Sequence, residues 1–265
     1  MTVRRRRPPT LVLVAATAGL LLFALPLLGL LQRADWSHLV DDLRTPASTA
    51  AMRLSVTTSL LATALAIGLG LPLAWVLART DIPGKAVVRA LVLLPMVLPP
   101  VVGGVALLSA FSRRSPLGSW LYDALGIQLT FSRAGVVLAE AFVAMPFFVI
   151  TVEAALRGLD PRYEQVAAGL GARPTQVFRR VTLPLIGPAV VAGAILIWAR
   201  ALGEFGATIT FAGNIAGRTQ TLPLAIYLQL ESDPGSAVAL SLVLLLVSFV
   251  VLIALRDRWL GGSPR

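Results

Sequence analysis

Six apolar runs, each near the roughly 20 residues a helix needs to cross a bilayer, constrain this chain more than any other feature. They are Leu11–Leu31, Leu54–Ala78, Val87–Phe111, Ala134–Leu156, Leu183–Phe211 and Ala237–Leu255. Hydrophobic residues make up 57% of the chain and charged residues only 14%, against about a quarter charged in soluble domains. The expected fold class is all-α, a polytopic membrane protein with six transmembrane helices. The opening MTVRRRRPP followed by an apolar run has the outline of a signal sequence. The run is too long for a secretory h-region and no A-x-A site follows, so it reads as an uncleaved anchor helix.

Loop charge sets an expected orientation. With the N-terminus inside, the inner segments hold Arg4 to Arg7, then Arg79, Lys85 and Arg89, then Arg157, Arg162, Arg173, Arg179 and Arg180, and finally Arg256, Arg258 and Arg265. That is fifteen basic residues against seven in the outer loops Gln32–Arg53, Ser112–Arg133 and Gly213–Ser236. Both termini are therefore expected in the cytoplasm. The formal charge of +10 follows from this topology and needs no nucleic-acid partner. With no cysteine and a single histidine, His38, disulfides and cysteine-based metal sites are excluded. No G-x-x-x-x-G-K-S/T loop is present, so the chain does not hold a nucleotide by that device. Each outer loop is long enough for a short helix and a docking surface. No internal repeat is evident, which disfavours inverted-repeat secondary transporters.

The most informative polar stretch runs from Leu156 to Pro184, LRGLDPRYEQVAAGLGARPTQVFRRVTLP. Asp160-Pro161 has the form of a helix start, with an N-cap carboxylate and then proline. Val166, Ala167 and Leu170 recur at helical spacing, and Gly171 has the place of a C-cap glycine. Pro174 can open a second short helix with Val177, Phe178 and Val181 on one face, and Pro184 begins the next membrane helix. Such a loop resembles the EAA loop of ABC importer permeases: EAA, three residues, G, nine residues, I-x-L-P. Gln165-Val166-Ala167 occupy the EAA positions, Gly171 the glycine, and Val181-Thr182-Leu183-Pro184 the I-x-L-P positions. The glutamate departs from the pattern, standing one position early at Glu164. An ordinary amphipathic connector is the competing reading.

Several helices carry chemistry of their own. The run LLPMVLPPVVGG holds Pro95, Pro99, Pro100, Gly103 and Gly104, which suggests a kinked helix lining a path; helix packing is the alternative. Gly68, Gly70 and Pro72 are read as packing, and Pro146 interrupts the fourth run. Four ionisable residues fall within the runs: Glu140, Glu153, Arg200 and Glu204. Such residues are functional candidates by default. Glu153 near the inner end can reach the headgroups, and Glu140 near the outer end has an interfacial reading. Arg200 and Glu204 stand one helical turn apart. The segment Ala199 to Tyr227, ARALGEFGATITFAGNIAGRTQTLPLAIY, is similar to molybdate and sulfate permeases, closer to the molybdate branch. That similarity extends from about Leu54 to Leu255.

The resemblance implies a type I ABC importer permease fold. It divides the chain into residues 1–53 (tail, first helix and outer loop), a permease core at 54–256 and a cytoplasmic tail at 257–265. It implies passage of a tetrahedral oxyanion, most plainly molybdate, across a prokaryotic plasma membrane. A homodimer of this chain would join two cytoplasmic ABC ATPases and an extracytoplasmic oxyanion-binding protein. ATP and Mg2+ would sit on the ATPases, with no cofactor on this chain, which would not be an enzyme. ATPase coupling would fall on Glu164, Gln165, Ala167, Ala168, Gly171, Leu183 and Pro184. The path or gate would involve Arg200, Glu204, Pro99, Pro100 and Gly103. Sulfate or thiosulfate and tungstate remain open as cargo. Two further classes stay open as well: a proton-coupled carrier using Glu140, Glu153 or Glu204, and a membrane assembly subunit without transport.

Overall fold

A computed structural model describes residues 9–260, with side chains as far as Ala254. Arg4 to Arg7, Arg256, Arg258 and Arg265, which count towards the expected inner charge, have side chains outside the described part. Among the described residues all regular structure is helical. The first span is α1 (Thr10–Arg33), with no buried residue, followed by the short α2 (Leu39–Arg44).

The second span, α3 (Pro46–Arg79), begins well before the expected Leu54. The 53/54 boundary therefore lies inside a helix. Thr45 Oγ1 accepts the Ser48 N–H at 3.2 Å and Pro46 takes the first helical position, where its missing N–H costs nothing. Ser48, Ser55, Thr58 and Ser59 lower the hydropathy of this stretch, yet they are buried against the bundle. Small residues of this kind allow close helix approach. The partner is α7 (Arg133–Gly158), whose first turn is capped by Ser132 Oγ. Phe148, Val149, Val152 and Leu156 of α7 pack on Ala62, Ala66, Ala74 and Leu77 of α3 and on Ile186, Ile197 and Ala201 of the fifth span. Gly70 and Gly193 leave room for the Phe148 ring: a Cβ on either would lie 3.0 Å and 2.9 Å from it.

The third run is not one helix. It forms α4 (Lys85–Val97) and α5 (Pro100–Phe111), broken at Leu98–Pro99. A residue before proline is pushed to extended backbone, and Leu98 and Pro99 both adopt it, with ψ 139 and 132. Pro100 then restarts the helix at its first position.

The fifth run differs at both ends. After α8 (Arg162–Gly169), the chain passes through α9 (Pro174–Val177) and a π-helical turn, Phe178–Thr182, straight into α10 (Leu183–Leu202). Pro184 stands in the first turn of α10, as expected, but helical backbone already runs into that turn from α9 through the π turn. Its ring would press on a carbonyl one turn back in a regular helix. The wide π turn, in which Leu183 N–H reaches Phe178 O, makes the space. At the other end α10 stops at Leu202, and Gly203–Phe205 separate it from α11 (Gly206–Ala212). The expected Leu183–Phe211 helix is thus two. The loops opposite α8 hold α2, α6 (Pro116–Leu125) and α12 (Leu222–Ser232), one short helix each; α13 (Pro234–Leu260) is the last span. Among the described residues five helices have the length and apolarity of a membrane span, and the α4–α5 pair supplies a broken one.

Candidate functional site: coupling loop and broken-helix junction

The polar stretch folds as two helical segments around a glycine turn. Asp160 Oδ1 accepts the Arg162 N–H at 2.9 Å, so the carboxylate caps α8, with Pro161 just ahead of it in helical backbone. At the far end Gly171 has φ +85. Its N–H donates to Ala168 O and that of Ala172 to Ala167 O, the paired bonds of a Schellman ending. Among the described residues, nothing beyond Gly171 and its chain neighbours lies within 4 Å of where its Cβ would stand, so the backbone conformation selects glycine. Gln176 Oε1 then takes the Arg173 N–H at 2.9 Å and starts α9. Tyr163, Val166 and Leu170 are 56%, 63% and 84% exposed. They recur at three- and four-residue spacing, an apolar stripe that a loop has no reason to show to water. Gln165 and Ala168 are exposed beside it, Ala167 is half-buried, and Leu183 and Pro184 lie in the first turn of α10.

Glu164 points elsewhere. Its Oε2 is 3.2 Å from Nε of Arg79, the last residue of α3, an ion-pair contact without hydrogen-bond alignment. Its Oε1 accepts from Thr182 Oγ1 at 2.7 Å. Arg79 Nη2 donates to Leu159 O at the end of α7, at 3.3 Å. Glu153, expected among the headgroups, is buried and joins Arg89 of α4 and Arg157 of its own helix, the latter at 2.8 Å. In the sequence Arg79 and Arg89 register only as topology charges; no local spacing pairs them with carboxylates 85 and 64 positions away.

A second cluster lies where the two broken spans meet. α5 and α11 are in close backbone contact. A Cβ on Gly206 would lie 2.7 Å from Pro100 Cβ, and one on Gly104 would lie 2.6 Å from Thr210 Cβ and 2.8 Å from Ala207 O. Gly103 faces Phe142 of α7 instead. Pro99 and Pro100 thus stand at the break, with Pro100 touching the start of α11. Arg200 Nη1 and Glu204 Oε2 are 2.7 Å apart, and Glu204 Oε1 accepts the Ala207 N–H at 2.9 Å. The carboxylate therefore closes the α10 break and caps α11. Its side chain is 1% exposed, that of Arg200 30%. Glu140 is buried in the bundle, where it accepts from Thr58 Oγ1 at 2.9 Å and its other oxygen has no partner.

Comparison with known proteins places this geometry in a family. Residues 66–259 match the model of the family described as "binding-protein-dependent transport system inner membrane component". The chain is 50% identical over 252 residues to the molybdenum transport system permease protein ModB of Mycobacterium tuberculosis, with 94% of each chain covered. It is 42% identical over 215 residues to ModB of Escherichia coli, covering 81% of this chain and 94% of that one. The sulfate transport system permease protein CysT of Salmonella typhimurium is 38% identical over 239 residues, covering 89% and 86%. Among solved structures, the fold resembles a bacterial alginate ABC transporter, with TM-score 0.74 at 19% identity over 97% and 95% of the chains. It also resembles the methionine ABC transporter MetNI in inward-facing form, with TM-score 0.56 at 19% identity over 80% and 95%. The chain belongs to the binding-protein-dependent transport family as its multi-pass inner membrane component, a permease subunit with the type I importer fold.

Proposed function

We propose that this permease carries molybdate into the cytoplasm. The likeness to the molybdenum permeases over nearly the whole of both chains carries the reading. Tungstate has the same shape and charge. Sulfate is the second reading, supported by the lower but extensive likeness to a sulfate permease.

The chain works as a homodimer with two cytoplasmic ATPases, which hold ATP and Mg2+, and an oxyanion-binding protein on the other side. An isologous pair suits a chain with one coupling loop. α8, with its exposed Tyr163, Val166 and Leu170, seats in an ATPase groove. The α5–α11 junction, with Pro99, Pro100 and Gly103 beside it, is the gate. Arg200, part-exposed at that junction, offers charge and a fork of donors to a passing dianion, while Glu204 holds the junction closed on itself. Both termini lie in the cytoplasm, as the arginine distribution favours.

Reconstituted complex, with binding protein inside the assay, tests the cargo. Molybdate and tungstate are expected to stimulate ATP hydrolysis and uptake, with sulfate weaker. Stimulation by sulfate alone would replace the molybdate reading by the second one. Orientation is tested in the cysteine-free chain by single cysteines at Ser119 and Thr175. The first is expected to react with an impermeant thiol reagent in sealed spheroplasts and the second only after lysis; the opposite pattern inverts the topology.

A further inference from the structure

We propose that Arg79, Glu164 and Thr182 form a clamp that passes movement of α8 into the membrane helices, so that Glu164 acts within this chain as a positioning residue and not as a contact to the ATPase. The inference rests on the proposed coupling role of the loop and deepens it.

Both Glu164 oxygens are used inside the chain, one by Arg79 Nε and one by the Thr182 hydroxyl. The Arg79 side chain is 14% exposed and that of Glu164 21%. An ion pair this shielded loses less to solvent screening than a surface pair does. Arg79 adds a bond to Leu159 O. One arginine and one carboxylate therefore join the end of α3, the end of α7, the coupling helix α8 and the π turn that leads into α10. The π turn has a part in this. One extra residue in a turn rotates the downstream helix by about 100° relative to the upstream segment. Thr182 closes that turn, so the same widening that accommodates Pro184 sets the face on which the hydroxyl meets Glu164.

A second link continues the frame, since Glu153 binds Arg89 of α4 and Arg157 of α7. The inner ends of α3, α4, α7, α8 and α10 are then cross-tied by charge. Among the described residues no ion pair ties α5 or α11 to this frame; Arg200–Glu204 spans only the α10–α11 joint. A push on α8 displaces the frame as a body, and the change of shape falls on the breaks at Leu98–Pro99 and Gly203–Phe205.

The test uses the complete transporter in proteoliposomes and reads ATP hydrolysed per molybdate moved. Arg79→Gln and Glu164→Gln are each expected to raise that ratio about tenfold, the size of a coupling energy near 1.4 kcal/mol, with the ATPases still co-purifying. Residues of one clamp are not additive, so the double variant should be no worse than either single. Thr182→Val keeps the volume and removes one bond, and should raise the ratio about threefold, about 0.65 kcal/mol. A ratio for Arg79→Gln within twofold of wild type, or a double variant equal to the product of the singles, overturns the clamp. If the arginine and glutamate variants lose their ATPases, Thr182→Val decides, and an unchanged ratio there overturns it too. Absence of molybdate-stimulated hydrolysis in the wild-type complex would instead defeat the functional reading on which the clamp rests.

Discussion

The two ends of the helix bundle are held together by opposite means. At the loop end, helices distant in sequence are joined by charged side chains: Arg79 to Glu164, and Arg89 to Glu153, which also holds Arg157 of its own helix. At the junction of the broken spans, α5 lies close on α11 through Gly104 and Gly206, which face Thr210 Cβ and Pro100 Cβ. Ion pairs of long side chains tolerate small shifts of backbone while keeping their partners. A glycine contact tolerates none, because the neighbours of the missing Cβ atoms are backbone, the Pro100 ring and the Thr210 Cβ, none of which can swing aside. The loop end is therefore suited to move as a unit, and the junction to occupy one of a few discrete packings.

Filling the glycine contact should break this difference most severely. Gly206→Leu places a side chain where Pro100 Cβ lies 2.7 Å away and the Val101 nitrogen 3.3 Å. Overpacking at the upper end of its usual cost, about 3 kcal/mol, corresponds to a loss of uptake of roughly 100-fold. The ATPases should remain bound, because the loop end is untouched. Uptake within threefold of wild type would show that the junction is not the part that has to repack.

The next largest effect separates the ion pair of the junction from those of the loop end. Arg200→Met with Glu204→Leu replaces a buried pair by apolar groups, which proteins often tolerate. With Arg200 guiding the anion, the double variant assembles and hydrolyses ATP but takes up molybdate about tenfold more slowly, as befits a lost charge-assisted contact of about 1.5 kcal/mol. Normal uptake would leave the pair with a structural role only.

Gly171→Asp acts on the loop end through backbone alone. A side chain at positive φ costs about 1–3 kcal/mol, so uptake per ATP should fall about fivefold with membrane insertion intact. Gly171→Asn should fall less, since asparagine tolerates this conformation better. Normal, substrate-stimulated hydrolysis and uptake with aspartate would remove the loop from the coupling path.

The smallest effect belongs to a charge pair that ties nothing together. Asp35 and His38, three residues apart and fully exposed, are 3.0 Å from each other. Hydrogen bonds from Ser37 and then His38 hold the Asp35 carboxyl down to about 2, and the Asp35 hydrogen bond and charge raise His38 above its usual value. A raised histidine stabilises below its unfolded pKa of about 6.5 and loses that contribution as pH rises through the folded value. Because the pair is exposed and local, uptake should change less than about twofold with His38→Ala, or between about pH 6 and about pH 8. A larger change would mean that exposed pairs matter here as much as the shielded ones.

The legible part of the molecule is that carried by local pattern. Membrane runs, the α8 cap at Asp160, the glycine turn at Gly171 and the interruption at Pro99-Pro100 all follow from neighbouring residues. The break at Gly203–Phe205 does not, because a single glycine in an apolar run is usually tolerated in a helix and the closing bond, Glu204 to the Ala207 N–H, is invisible in composition. The early start of α3 is masked by Ser48, Thr49 and Arg53, which break the apolar run, although the Ser48 hydroxyl is in fact buried. The burial of Glu140 is likewise hidden from local pattern, since its partner Thr58 lies on another helix. The partners of Glu153 and Glu164 lie on other helices, and only the fold brings them together.

Hydrogen exchange of the complete transporter, compared between the nucleotide-free state and a trapped ATP state, tests the contrast most directly. The peptide covering residues 199–210, across the α10–α11 break, should change its exchange by at least about tenfold, the response of a segment whose opening energy shifts by about 1.4 kcal/mol or more. The peptide covering residues 178–186, in the π turn and the clamped end of α10, should stay within twofold. A change confined to 178–186, with 199–210 unaffected, would contradict a rigid loop end and a repacking junction.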